Sequence, residues 1–383
     1  MIPKFEHTQN NHFRWGFGDD WHNDPDPEKQ YKIHLGYATR PVMSFREECI
    51  NAAKLIAEKT TKPIVVGLSG GSDSQMVCLA FREAGIPFKA IIVSMFDGGK
   101  MTNEYDIKTA YEFCKKYGIE YMESFVGLEG FYKTKGVEYA AKYGSASVAV
   151  EVQTSTMDFL GKDYCYIMAG GDIMFHPYQA WITPDIEQPL MPFTNGKLTV
   201  PCWWQKPQPI LQHMIASEYE GTSKFFLYTP ELILSYLKDP AVQDFLNIAN
   251  HGIPYPIAIQ WLKGKDLWKL FQMIIKPMMT MREWPEMIPA RKYTGFEKLQ
   301  KMRDRTDEES RYELYEKMLS EADGGKTAGQ VVAIPIVDLI KYVETPHTEP
   351  LYATKLLPWK KILKERQEKE RAANEAQDQQ DED

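Results

Sequence analysis

The chain has 383 residues, with 45 Lys and Arg against 53 Asp and Glu, for a formal charge of −8. That balance argues against a general nucleic-acid binder, which needs a basic surface. The 43% hydrophobic and 26% charged content is that of an ordinary globular protein, long enough for one large domain or two, and no apolar run approaches the roughly 20 residues that span a bilayer.

Residues 1–43 are rich in aromatics, Asp and Pro, including Trp15, Trp21 and Asn23-Asp24-Pro25-Asp26-Pro27. No period of 2 or 3.6 persists there, which predicts an irregular arm. Ser44 to Glu47 has the capping-box pattern, and Ile50, Ala53, Ile56 and Ala57 follow at helical spacing. A strand is expected over 63–68, then a glycine turn, then a helix through Met76, Val77, Ala80 and Phe81 that stops near Gly85. Phe88 to Met95 reads as a second buried strand, and Asp97-Gly98-Gly99 turns the chain. Ile107, Ala110, Tyr111 and Cys114 mark the next helix, closed by Gly118, before a third strand over 119–126. Tyr164 to Ala169 supplies a further strand, ending in Gly170-Gly171-Asp172. Strands and helices alternating at this interval specify an α/β fold with an open parallel sheet, whose ligands gather at the carboxyl ends of the strands.

Beyond about residue 180 the character changes. Leu190 to Trp203 resembles a hairpin turned by Asn195-Gly196. Residues 228–251 and 256–280 are mainly helical in pattern. The division expected is therefore an arm over 1–43, a nucleotide-binding α/β domain over 44–180, a mainly helical substrate or accessory region over 181–360, and a charged, disordered tail over 361–383. Met1 to His7 lack a signal-peptide core. Cys49, Cys78, Cys114, Cys165 and Cys202 never form C-x-x-C, which suits reduced thiols in a cytoplasm.

The most informative stretch is Ile64 to Ser74, Ile-Val-Val-Gly-Leu-Ser-Gly-Gly-Ser-Asp-Ser. A buried strand that breaks into glycines at the start of a helix gathers backbone N–H groups and the positive end of a helix dipole at one point, which is a phosphate site. Gly70 and Gly71 admit the anion closely, Ser69 and Ser74 add hydroxyls, and Asp73 is a candidate ligand for magnesium. No Lys follows as in a Walker A loop. Over about residues 46–175 the chain resembles the PP-loop ATP pyrophosphatases, the adenine nucleotide alpha hydrolase-like group within the HUP fold, whose loop reads Ser-Gly-Gly-x-Asp-Ser. The asparagine-synthetase-type and sulfate-reductase-like members are the nearest in feel. The resemblance implies cleavage of Mg-ATP between the α and β phosphates to adenylate a substrate.

It implies further site residues. Gly170, Gly171 and Asp172 stand where asparagine-synthetase-type enzymes have a longer Gly-Glu-Gly-x-Asp, lining the nucleotide and offering a second magnesium ligand in Asp172. The strand end Val93-Ser94-Met95 is where family members read adenine, largely through backbone groups. Asn103-Glu104-Tyr105-Asp106 opens the next helix near the same edge, where acids are favoured by the dipole in any case. The departing pyrophosphate needs positive charge. Lys263, Lys265, Arg291 and Lys292 are candidates, and the segment Arg291-Lys292-Tyr293-Thr294-Gly295 is the best of them. His176 is close enough in sequence to Asp172 to reach the site, although a packed structural imidazole is as good a reading. Gly324-Gly325-Lys326-Thr327 lacks the first glycine of a Walker A loop.

The absences discriminate among family activities. Residue 2 is Ile, so the N-terminal cysteine of a glutaminase domain is missing, and neither paired cysteines nor a cysteine zinc cluster occurs. The reading that remains is an adenylating ligase that activates a carboxylate or carbonyl of a small molecule or nucleobase for attack by ammonia or an amine. A sulfur enzyme using Cys165 or Cys202, and a non-catalytic nucleotide-binding module, are the alternatives. ATP and Mg²⁺ are the expected cofactors, an acceptor and an amine donor the expected partners, with a homo-oligomer compatible and no membrane.

Overall fold

In the computed structural model the residues described are 14–17, 31–136, 138–139, 148–170, 199–201, 210, 213–214, 216–243, 276–289, 332–352 and 354–355. Two short strands come first, β1 (Arg14–Phe17) and β2 (Tyr31–His34), paired antiparallel with Arg14 opposite His34. They lie inside the segment read as an irregular arm. Four residues each are too few to show a period, and part of their pairing comes from Leu351–Tyr352 near the other end of the chain.

Helix α1 (Phe45–Ala57) starts at the expected capping box: Ser44 accepts from the Glu47 N–H while the Glu47 carboxylate accepts from the Ser44 N–H. Strand β3 (Ile64–Gly67) leads into helix α2 (Ser72–Glu83), and β4 (Phe88–Asp97) follows. A hairpin through Gly98 and Gly99, both at positive φ, returns β5 (Lys100–Met101) against the end of β4. Helix α3 (Glu104–Tyr117) ends at Gly118 in the left-handed region. Then come β6 (Tyr121–Gly127), α4 (Leu128–Lys133), α5 (Val148–Leu160), β7 (Cys165–Ile167), β8 (Thr199–Pro201) and β9 (Glu220–Thr222). Helices α6 (Pro230–Leu237) and α7 (Lys276–Glu283), strand β10 (Val332–Pro335), helix α8 (Ile336–Glu344), β11 (Leu351–Tyr352) and β12 (Thr354–Lys355) complete the described chain.

The central sheet runs β6-β4-β3-β7-β9, with every one of these pairs parallel. The chain builds outward from β3 to β4 and β6, then reverses to the other side of β3 with β7 and β9. That reversal is a topological switch point, and the crevice of such a sheet opens at the carboxyl ends of the two strands that flank it. Here those strands are β3 and β7. The expected open parallel α/β sheet is thus the fold observed.

Period-2 alternation decides which side chains meet which helices. Ile64, Val66, Ala90, Ile92, Cys165 and Ile167 share one buried cluster with α1, α2 and α3. Val65, Ile91, Tyr166 and Met168 share another with Met157 and Leu160 of α5. Helix α6 takes Pro230 at its first position, Thr229 capping the Leu232 N–H, and joins the first cluster through Leu232, Ile233 and Leu237.

Of the hairpin expected over 190–203, residues 199–201 are described, as strand β8, whose partner among the described residues is β10, far along the chain. The Asn195-Gly196 turn and the first arm lie outside the described residues, as do Gly171, Asp172, His176, Cys202, Lys263, Lys265, Arg291, Lys292, the segment 323–330 and the tail over 361–383. The helical pattern of 228–251 and 256–280 is described at 230–237, 240–243 and 276–280.

Candidate phosphate-binding active site

The loop between β3 and α2 closes on itself. The Ser69 N–H donates to Ser74 Oγ at 3.2 Å, and the Ser74 hydroxyl donates to the Gly71 carbonyl at 2.9 Å. Ser74 is buried and its proton is spent inside the loop, so it braces the cradle where the sequence suggested a donor to phosphate. Gly71 is the N-cap of α2 and brings no side chain to the cap. Ser69 is exposed, and Ser72 and Asp73 are half-buried at the mouth. A glycine N-cap beside an accessible serine, at the positive end of a twelve-residue helix, is an arrangement that suits an anion.

Gly70 has φ +78°, and a Cβ there would lie 2.2 Å from the Asp106 carbonyl of α3. Its missing side chain makes room for a helix as well as for an anion. Gln75, which the sequence reading passed over, is fully buried in the first turn of α2 and bonds the Gly70 carbonyl and the Ile288 backbone. The available signal was an amide in an otherwise apolar helix face.

At the end of β4, Asn103 stands in for a neighbouring strand. Its Nδ2 donates to the Val93 carbonyl at 2.8 Å, its Oδ1 accepts from the Met95 N–H at 2.9 Å, and the Thr102 N–H donates to the Met95 carbonyl at 2.8 Å. Both backbone groups of Met95, expected to read adenine, are therefore engaged within the protein, and the Ser94 side chain is buried. Glu104 and Asp106 open α3, as expected of acids in a first turn.

Of the second glycine loop, Gly170 is described. A Cβ at Gly170 would lie 2.4 Å from the Ser223 carbonyl, and the Gly170 carbonyl accepts from the Phe226 N–H. Close packing against the turn after β9 is one physical reason for glycine here. That turn carries Lys224, buried to 4% exposure, whose amine burial pushes well below its ordinary value. Position at the carboxyl side of the sheet was its only sequence-level signal.

The Asp73 carboxylate stands beside the loop and accepts from the Ser72 hydroxyl at 3.3 Å; an acid in such a place is of the kind that holds magnesium together with phosphate oxygens. Among the described residues no group of three or more His, Cys, Asp or Glu side chains is arranged to hold a metal ion alone. Among them, too, no helix is long and apolar enough to cross a membrane. Cys165 begins β7 opposite Ile64, at the amino end of the sheet and fully buried, remote from the loop. Burial raises the Cys49 and Cys78 thiols, and lifts Cys114 to about 11, so all three are protonated near neutrality.

Comparison with known families agrees with this segment. Residues 45–147 match the NAD synthase family. The match takes in α1, the phosphate loop, β4, α3 and β6, and it bears out the resemblance to PP-loop ATP pyrophosphatases. A search of curated proteins finds no match. Solved structures similar to the chain include a predicted subunit of tRNA methyltransferase from Methanocaldococcus jannaschii, at 13% identity and TM-score 0.25, covering 42% of this chain and 66% of that one. An NH3-dependent NAD synthetase from Campylobacter jejuni shares 12% identity at TM-score 0.27, covering 65% and 97%. NMN synthetase from Francisella tularensis shares 14% at TM-score 0.25, covering 66% and 98%. Likenesses this distant carry no functional weight, and the fold stands on its own strand register.

Proposed function

We propose that this protein is an ATP-dependent adenylating ligase, forming AMP and pyrophosphate, that converts a carboxylate or carbonyl to an amide or amine adduct with ammonia or an amine. The observation that carries the reading is the glycine-capped N-terminus of α2 behind the Ser69–Ser74 loop, at the switch point of a parallel sheet, within the NAD synthase match. The match of residues 45–147 to the NAD synthase family supports an ATP-using amidation.

The residues divide the work as follows. The first-turn N–H groups of α2 and the Ser69 hydroxyl hold the β and γ phosphates. Asp73, with Asp172 as second carboxylate, would hold magnesium, which would neutralise phosphate charge. An acceptor oxygen attacks the α phosphorus in line and pyrophosphate leaves, Arg291 and Lys292 being the candidates to meet its charge; ammonia or the amine then displaces AMP from the adenylate. Gly170 and Gly171 line the nucleotide, and the end of β4 at Ser94 and Met95 borders the adenine. Nearly all of the rate enhancement is positioning and charge stabilisation, so no general base is required of the loop.

A sulfur enzyme is disfavoured by the place of Cys165, buried at the wrong end of the sheet. The test is incubation with Mg-ATP, a panel of small carboxylates including pyridine-carboxylate nucleotides, and ¹⁵N-ammonium, followed by mass spectrometry. A product carrying ¹⁵N in step with AMP supports the proposal. AMP formation that no carboxylate or ammonium stimulates would sink it.

A further inference from the structure

Gln75 makes three hydrogen bonds, each of 2.9 Å. Its Nε2 donates to the Gly70 carbonyl and to the Ile288 carbonyl, and its Oε1 accepts from the Ile288 N–H. The amide is 0% exposed, so it would be costly there without these partners. Its orientation is set from outside the loop. The Ile288 N–H must face the oxygen, which turns the Nε2 toward the two carbonyls.

The Gly70 bond matters because of the peptide it holds. Gly70 and Gly71 carry no Cβ on either side of their shared peptide, and glycine adopts either hand of φ at little cost. That unit is therefore free to flip unless something fixes it. In a trans peptide the C=O and N–H point in opposite directions, and no cis peptide occurs among the described residues. With its oxygen drawn in to the buried Gln75, the Gly71 N–H points the opposite way, and Ser69, Ser72 and Asp73 beside it are accessible. The flipped state would present a carbonyl lone pair to an incoming phosphate.

The clamp on Ile288 is itself anchored. Trp284 is fully buried and donates to Glu83, Arg46 bonds the Glu283 carbonyl and pairs with Glu286, and Lys116 and Tyr117 donate to the Glu286 carbonyl. Residues 283–288 are thus tied to α1, α2 and α3 before they reach the loop.

We propose that Gln75 is a positioning residue for phosphate: oriented by the Ile288 backbone, it locks the Gly70–Gly71 peptide with its N–H toward the anion. The inference rests on the polyphosphate reading of the Ser69–Ser74 loop. It makes the segment before Arg291 part of the loop's support, a coupling between the α/β domain and the C-terminal region.

The test compares two probes on the full-length chain, Mg-α,β-methylene-ATP and adenosine, in wild type, Gln75→Leu and Ile288→Pro. The Leu removes both donors and the acceptor, and the Pro removes the N–H that orients the amide. Both variants should bind the triphosphate at least about fivefold more weakly, the worth of one net hydrogen bond, and adenosine as wild type does. A variant that merely loosens the fold would weaken both probes together, and that result overturns the proposal, as does unchanged triphosphate binding. If Gln75→Leu does not fold, Gln75→Glu keeps the shape and the acceptor while setting a carboxylate against two carbonyls, with the same expectation. Wild type binding the triphosphate no better than adenosine would instead overturn the polyphosphate reading, and this inference with it.

Discussion

A methyl group at Gly70 would meet the Asp106 carbonyl at 2.2 Å and hold φ near +78°, whereas one at Gly85, with φ +70°, meets nothing within 4 Å. The two glycines separate strain from collision. Gly85→Ala should cost about 1 kcal/mol, the ordinary price of a left-handed alanine. Gly70→Ala should cost on the order of 3 kcal/mol, because α3 must also move. Urea unfolding of the two variants measures the difference, and equal losses would contradict the close approach. The motif announced a glycine at 70, but its packing against α3 was invisible, since it depends on a helix more than thirty residues on. Glu48 is another such case. Its carboxylate is fully buried, takes both terminal nitrogens of Arg40 at 2.6 Å, and accepts from the Met43 N–H at 3.0 Å. On the sequence it is one more charge in an amphipathic helix. Glu48→Ala should lose about 2 kcal/mol, below the loss for a fully buried pair because Arg40 can turn to water. A urea midpoint unchanged by the substitution would contradict that weight.

Helix α5 shows what a whole element can hide. The sequence reading named no helix between the strands at 119–126 and 164–169, and Asp158 near the end of this one gathers three partners: His213 at 2.6 Å, Tyr219 at 3.0 Å, and the Tyr139 hydroxyl. Burial by itself would raise the Asp158 carboxyl, but the hydrogen bonds from Tyr139, His213 and Tyr219 outweigh it and hold the carboxyl below its ordinary value. A folded-state value below the unfolded one means that the ionised form favours folding. The contribution is therefore complete above the ordinary carboxylate range and is lost as pH falls through about 4 and below. Asp158→Asn should be less stable than wild type at neutral pH, with the gap narrowing toward pH 3 in thermal melts. A gap that widens on acidification would contradict the sign. The strands β3, β4, β6 and β7 were readable because each carries large apolar residues and runs into a glycine. Strands β1 and β2 were not: four residues each carry no clear period, and β2 also pairs with β11, distant in the chain.

At the scale of the molecule, the sheet order β6-β4-β3-β7-β9 puts the Ser69–Ser74 loop and Gly170 at the carboxyl ends of two neighbouring strands, and the sequence foretold those strands. It did not foretell how the C-terminal region meets the loop. That junction consists of backbone groups at Glu283, Glu286 and Ile288 bonded by Arg46, Lys116, Tyr117 and Gln75, and backbone acceptors leave no mark in a sequence. The central claim is that this junction and the α2 N-terminus serve ATP cleaved between its α and β phosphates. The most direct measurement incubates the protein with Mg-ATP labelled on the α phosphate, together with the carboxylate panel and ammonium, and resolves AMP from ADP. AMP as the labelled product, falling at least about a hundredfold in Asp73→Ala, is the result predicted. ADP as the product, or AMP formed equally by Asp73→Ala, would contradict the account.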